Sequence, residues 1–339
     1  MDKLKYLIGD FMVDVIEILK RYSEDVNKEI DEALNTLEPE TLRDASTHLV
    51  KAGGKKLRPA LEVLACQAVG GETEKALKAA ASLELIHTFS LIHDDIMDND
   101  DTRRGMPAVH KVWGEPMAIL AGDTLFAKAY ETIIKTADDN IPYERVIDAL
   151  RVEVDACIKI CEGQALDMEF EDTFEVSEED YLNMIYKKTG ALISAATSAG
   201  AIIGGASTYQ IEALTNYGKS LGIAFQIQDD YIDLTGDESI GKPVGSDLVE
   251  GKKTIMVIHA LQKANPEDHD RLIELLTAHD ESIIPEAMEI LNKYGAINYA
   301  RALAYDNVIH AKESLTLLPD SEAKNTLMKL ADFVFNRKS

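Results

Sequence analysis

The sequence predicts an all-α fold in one domain, and three observations carry that expectation. Apolar residues recur at helical spacing almost from end to end, and long alternating β-branched runs are missing, so no sheet is expected. Only 9 prolines occur in 339 residues and no Ser/Gly/Pro-rich linker divides them, so one large domain, 1–339, is expected rather than two. Hydrophobic residues make up 46% of the chain, enough for a sizeable core, yet no apolar run reaches the roughly 18 residues that a membrane span needs.

Composition narrows the function classes. A net charge of −25 repels a phosphate backbone, so nucleic acid is not an expected partner. Asp2, Asp10 and Asp14 argue against a signal or transit peptide. The 3 cysteines make no disulfide framework and suit a reducing cytosol, so a cytoplasmic location is expected. Cys157 and Cys161 read as small buried hydrophobes on one helix. In so acidic a chain, basic clusters are informative. Lys55, Lys56 and Arg58, then Arg103 and Arg104, then Lys252 and Lys253, are placed to meet anions.

In chain order, residues 3–35 read as a long amphipathic helix with Leu4, Leu7, Ile8, Phe11, Val15, Ile18 and Leu19 in one stripe. Its polar face is mixed rather than basic, which favours packing on the body or on a partner subunit over a membrane surface. Residues 39–56 read as a short helix and a loop. Gly53-Gly54-Lys55-Lys56-Leu57-Arg58-Pro59 then opens a helix, with Pro59 in its first turn. Backbone donors there, with Lys55 and Arg58 three apart, would cradle an anion; a basic loop on an acidic surface is the alternative. Helices are expected at 74–100, 116–137, 143–171, 178–203 and 208–235, punctuated by Pro107, Pro116 and Pro142. Residues 236–254 are a glycine-rich loop carrying Lys242, Lys252 and Lys253, expected to be a mobile lid. Further helices are expected at 255–265, 267–279, 283–317 and 320–335, with Arg337 and Lys338 at a frayed end.

The chemistry concentrates in two acidic stretches. The first runs His93-Asp94-Asp95-Ile96-Met97-Asp98 and continues to Arg103-Arg104-Gly105. On a helix, Asp94 and Asp98 lie one above the other, with Asp95 beside them. Such crowding costs stability unless a cation joins the carboxylates. Mg²⁺ takes one or two carboxylates plus phosphate oxygens, and guanidinium forks match phosphate. The stretch therefore calls for a diphosphate bridged by Mg²⁺, where a solvated helix end is the plainer alternative. A near copy, Gln226-Ile227-Gln228-Asp229-Asp230-Tyr231-Ile232-Asp233, ends a second apolar helix. Two such acidic walls could hold and polarise a leaving diphosphate.

His87, two turns before Asp94, reads as either a core histidine or a diphosphate contact. Glu84-x-x-His87 has no second copy, so a di-iron bundle is rejected. Lys187-Lys188-Thr189-Gly190 interrupts an apolar helix and reads as a pocket edge or a surface turn.

Two Asp-rich motifs, the Gly-Gly-Lys-x-x-Arg-Pro cradle and a Gly-Lys-x-x-Gly-x-Asp-Leu loop occur in the order of one family. The chain resembles the trans-isoprenyl diphosphate synthases, by motif over residues 40–260 and by helical layout over the whole length. The resemblance implies a bundle of mostly antiparallel helices around a deep cavity, usually a homodimer. It implies isopentenyl diphosphate held by Lys55, Arg58, His87 and Arg104. It implies an allylic diphosphate held by Arg103, Lys188, Lys242 and Lys252 through Mg²⁺, three ions with substrate bound, on Asp94, Asp98 and Asp229. Asp95, Asp230 and Asp233 would support the metals, and Thr189 and Gln226 would line the cation.

The implied reaction ionises the allylic diphosphate, excludes water, and couples the cation to the double bond of isopentenyl diphosphate. The family sets product length with residues just before the first Asp motif, here Phe89 and Ser90, and Phe89 is the expected pocket floor. Only two residues separate Asp95 from Asp98, a pattern that resembles archaeal geranylgeranyl diphosphate synthases. Farnesyl diphosphate synthase is the nearest alternative. A terpene cyclase would not need Lys55, Arg58 and His87, and a non-catalytic partner subunit would ordinarily have lost one Asp motif.

Overall fold

The computed structural model describes residues 2–236 and 244–337, with side chains from Val15 onward. Sixteen helices are described: α1 Asp2–Leu34, α2 Glu40–Lys51, α3 Leu57–Ala68, α4 Thr73–Met97, α5 Val109–Trp113, α6 Glu115–Ile134, α7 Tyr143–Glu171, α8 Glu178–Ile185, α9 Ala191–Gly204, α10 Thr208–Thr235, α11 Ser246–Val249, α12 Ile255–Lys263, α13 Pro266–Ala278, α14 Ile284–Lys293, α15 Ala296–Ser314 and α16 Glu322–Asn336. The chain forms two compact units. Unit 1 holds residues 1–157, 192–218 and 314–330, and unit 2 holds 158–191, 219–313 and 331–339.

Local chemistry sets many boundaries. Ser177 caps α8 in a reciprocal box with Asp180. Asn265 accepts from the Asp268 amide ahead of Pro266 and so starts α13. Pro116 sits in the first turn of α6, where no donor is lost.

In unit 1, α4 is the central element. Ala76, Ala79, Ala80, Leu83, Leu85, Ile86 and Ile92 are all fully buried. The helix is enclosed on all sides, packed against α6, α3 and α1. From Val15 on, α1 lays Leu19, Tyr22, Val26 and Ile30 into this core. In unit 2, α12 carries Ile255, Met256, Val257 and Ile258, buried among Tyr181, Leu234, Leu272 and Leu291.

Four sequence expectations are corrected. A small sheet exists: β1 Thr102–Arg103 and β2 Met106–Pro107 pair antiparallel. Two-residue strands are too short to show alternation, and the signal was the turn, Arg104-Gly105, with both φ positive as a two-residue hairpin requires. The helix expected at 178–203 is broken by a π turn at Tyr186–Gly190. The helix expected at 283–317 ends at Lys293, where Gly295 turns with φ +69°. The loop 236–254 is not loose throughout: from Gly245 it is fastened to unit 2, with Leu248 buried in α11. Lys242 lies outside the described residues.

Unit 1 also buries two acids. Glu62 on α3 and Glu153 on α7 are fully enclosed, and Ser82 Oγ donates to Glu153 Oε2 at 2.6 Å. Neither oxygen of Glu62, nor Glu153 Oε1, has a hydrogen-bond partner among the described residues. Burial pushes both carboxyls up, Glu153 to about 8, and the charge of Glu153 raises Glu62 further. The folded protein therefore holds the Glu153 proton where the unfolded chain releases it. That contribution is present in full below the ordinary value of 4.5 and is lost progressively as pH rises to about 8. The melting temperature should fall between pH 5 and pH 8, and Glu153→Gln should flatten that decline in a calorimetric pH series.

Candidate active site

The sequence-derived residues fall into two clusters, one in each unit. In unit 1 the C-terminal end of α4 carries the first Asp motif. Asp94 is half-buried, Asp95 is fully buried, and Asp98 caps the helix in the open, its amide bonded to Asp94 O at 2.8 Å. Arg103 Nε donates to Asp95 Oδ1 at 2.6 Å, and its Nη2 donates to Asp100 at 2.7 Å. Burial pushes the Asp95 carboxyl up while Arg103 pulls it down, and Asp95 Oδ2 keeps no hydrogen-bond partner among the described residues.

The β1–β2 hairpin separates the two arginines. Arg103 ends β1, whereas Arg104 opens the turn with φ +54°, so the two side chains leave the backbone in different directions. Arg103 turns to the acidic motif, and Arg104 turns to the loop before α3, donating to Gly53 O. Gly54 makes room: a Cβ there would meet Arg104 Cζ at 3.0 Å. In the first turn of α3, Arg58 Nη1 lies 3.2 Å from His87 Nε2. Burial, then the charges of Arg58, Arg104, Lys56 and Arg103, hold His87 well below the usual imidazole range. A neutral His87 whose Nε2 accepts from Arg58 keeps Nδ1–H as a donor. Lys55 is exposed on the loop that leads into α3. Lys55, Arg58, His87 and Arg104 thus form one basic group.

Phe89 is buried on α4 and stands edge-to-face against Phe126 of α6 at 4.9 Å, which in turn meets Tyr130 at 4.8 Å. Ser90 is spent on the helix, its Oγ donating to His87 O.

In unit 2 the second Asp motif ends α10. Asp229 is half-exposed and pairs with Arg337 Nη2 at 2.5 Å. Arg337 is buried, its guanidinium 3.9 Å above the Phe225 ring, so the chain end expected to fray is docked as far as this residue. Lys338 lies outside the described residues. Asp230 accepts from Tyr181 Oη at 2.6 Å and from Gln226 Nε2 at 2.9 Å. Gln226 Oε1 accepts from Thr189 Oγ1 at 2.7 Å. Asp233 accepts from Ser246 Oγ and the Asp247 amide. Burial pushes Asp230 to about 8 and Asp247 to about 6, and neighbouring carboxylates add to both shifts.

The π turn puts Lys188 over a cleft lined by Asp167, Tyr181, Gln226, Asp230, Asp247 and Lys252. Lys188 pairs with Asp167, and Lys252 with Asp247 and Glu250. The turn depends on a close approach, since a Cβ at Gly163 would fall 2.3 Å from the Lys188 backbone nitrogen. Sequence reasoning missed Asp167, Tyr181 and Asp247 as cleft residues. The available signal was Gly163 with an acid one turn later on the same face, opposite a lysine that interrupts an apolar helix.

Among the described residues no three His, Cys, Asp or Glu side chains gather into a cage that would hold a metal unaided. Mg²⁺ is ordinarily held by one or two carboxylates with substrate phosphates completing its shell. The residues fit that mode. All the donors are hard oxygens, Asp95 carries an orphaned buried oxygen, and the charge crowded around Asp230 and Asp247 is of the kind a cation relieves.

Comparison with known proteins agrees with this chemistry. The chain is 56% identical over 328 residues to the short chain isoprenyl diphosphate synthase of Methanothermobacter thermautotrophicus, covering 96% of this chain and 100% of that protein. It is 43% identical to the geranylfarnesyl diphosphate synthase of Natronomonas pharaonis, over 92% and 94% of the two chains. The crystal structure of geranylgeranyl pyrophosphate synthetase from Pyrococcus horikoshii superposes with a TM-score of 0.90 at 42% identity, covering 97% of this chain and 99% of that one. The polyprenyl synthetase profile matches residues 39–292, and the chain belongs to that family.

Proposed function

We propose that this protein is a prenyltransferase that condenses isopentenyl diphosphate with dimethylallyl, geranyl and farnesyl diphosphates to give geranylgeranyl diphosphate, with farnesyl diphosphate as the alternative end product. The observation that carries the reading is the meeting of Arg58 with His87 in a basic group separate from the carboxylate motifs, on which we propose two anion sites of different kinds. One is the basic group Lys55, Arg58, His87 and Arg104, which needs no metal. The other chemistry is carboxylate: Asp94 and Asp98 in unit 1 and Asp229 in unit 2 are the proposed metal ligands, with Asp95, Asp230 and Asp233 in support. A terpene cyclase would have no use for the first, and a non-catalytic subunit none for an intact second. Two diphosphates bound by two chemistries suit a condensation of two diphosphate substrates.

Each side chain then has a task. Lys55, Arg58 and Arg104 neutralise the diphosphate of the acceptor, and His87 donates to it through Nδ1–H. Arg103, Lys188, Lys252 and Lys242 offset charge on the allylic diphosphate as its C–O bond breaks. Three Mg²⁺ ions, bound between the carboxylates and that diphosphate, would supply further neutralisation of the leaving group. Thr189 and Gln226 would line the cation, their oxygens offering lone pairs not used in the bond between them. The acceptor's double bond attacks that carbon, and the surplus proton leaves with the released diphosphate. Phe89 closes the pocket, and Phe126 behind it keeps the ring from yielding.

A single catalytic domain is proposed around a deep cavity, with the segment 236–254 as its lid; the family match across residues 39–292 supports one domain. A second copy of the chain is the proposed partner. Ile119, Leu120 and Ile134 on α6 and Tyr143, Ile147 and Val154 on α7 are exposed apolar residues, a density usual at subunit interfaces. A cytoplasmic setting is proposed, supported by three free cysteines. No described helix is long and apolar enough to cross a membrane.

Purified protein with Mg²⁺, labelled isopentenyl diphosphate and each allylic starter in turn should yield mostly C20 alcohols after dephosphorylation. No elongation from any starter would overturn the reading. Asp94→Ala and Asp229→Ala should each lower kcat by on the order of a hundredfold or more in that assay. Phe89→Ala should extend the product beyond C20; unchanged length would remove Phe89 as the floor. Leu120→Glu with Ile147→Glu should convert the dimer to a monomer in sedimentation velocity.

A further inference from the structure

The loop that carries Lys55 and precedes Arg58 does not hold its shape by itself. Gly53, Gly54 and Lys56 have φ of +80°, +138° and +44°. Glycine takes such values freely, but lysine seldom does. Lys56 also caps α3 without any side-chain hydrogen bond to the helix. Its ammonium is instead withdrawn from water and lies 3.1 Å from Glu84 Oε1, with the two side chains 1% and 2% exposed. Glu84 sits on α4 one turn before His87, and His87 meets Arg58. The same stretch of α4 therefore grips the loop twice. His87 takes Arg58 at the basic group, and Glu84 takes Lys56 behind it.

We infer that the buried Lys56–Glu84 ion pair is a positioning device for isopentenyl diphosphate binding, holding Lys55 and Arg58 in register with His87. Lys56 itself touches no substrate. Its left-handed backbone turns Lys55 outward and lets α3 begin at Leu57, and the ion pair keeps the backbone there. Neighbouring residues show the contrast in role: Lys55 is exposed and Arg58 half-buried, while Lys56 is enclosed. The inference rests on the proposed function, which assigns Lys55, Arg58 and His87 to that diphosphate.

The experiment uses the full chain. Lys56→Met leaves the Glu84 carboxylate buried without its partner and should lower the melting temperature. Lys56→Met with Glu84→Leu removes both charges and should recover most of that loss, because a buried pair replaced by apolar groups is often neutral in stability. The double variant should still show a KM for isopentenyl diphosphate raised on the order of tenfold or more. Its kcat and its KM for dimethylallyl diphosphate should stay within about twofold of the native protein. A double variant that is stable and has the native KM for isopentenyl diphosphate would overturn the inference and leave the pair a structural one. Should the double variant fail to fold, Lys56→Arg keeps the charge but changes its reach; a KM raised severalfold supports the inference, and a native KM overturns it. Lys55→Ala and Arg58→Ala are run alongside. If neither changes that KM, the assignment of the basic group fails, and the inference fails with it.

Discussion

Neutralisation of enclosed charge is the constraint on which the rest of this structure depends. A chain of net charge −25 has placed acids inside its helices, and an ionised group taken out of water must be met by a partner or give up its charge. Arg103 meets Asp95, Arg337 meets Asp229, Lys188 meets Asp167, and Lys56 meets Glu84. Where no cation is available, as at Glu153, burial favours the protonated acid. Asp230 accepts from neutral donors, Tyr181 and Gln226, and burial favours its protonated form as well. These partners hold the acidic side chains in place within each unit, so the carboxylates are organised independently of any ligand.

The basic residues follow the same economy by a different route, through the backbone. Arg103 and Arg104 are adjacent in sequence and serve different partners because Arg103 ends a strand and Arg104 takes the left-handed first position of the hairpin turn. Lys55 and Lys56 are adjacent too, and a left-handed step at Lys56 leaves one exposed and the other buried. Lys188 is carried over its cleft by a π turn, a feature common where function interrupts a helix. In each case a local departure from regular geometry delivers a charged group that a regular helix would have pointed elsewhere.

Product length is a finer property than family membership. The relatives include an enzyme named for geranylfarnesyl diphosphate at nearly the identity of others named for shorter products. Membership of the family therefore does not by itself fix the length of the product. Phe89 stands against Phe126, and Phe126 against Tyr130, so the proposed pocket floor is a group of rings and not one side chain.

The sequence by itself determined the helical class, most helix boundaries, and the identity of the acidic and basic motifs. Those features are local. Period, caps and turn residues act over a few positions, so α7 and α10 were legible to the residue, and two Asp motifs at helix ends could be read as metal and diphosphate chemistry. Tertiary structure alone decided which charge meets which. Lys56 and Glu84 are 28 residues apart and Asp167 and Lys188 are 21 apart, distances at which no periodic pattern links them. It also decided that the Arg337 end docks on Asp229 and that Gly163 lets the backbone at Lys188 come close. Such facts depend on how separate helices pack, and packing is a property of surfaces that residues far apart in the chain build together.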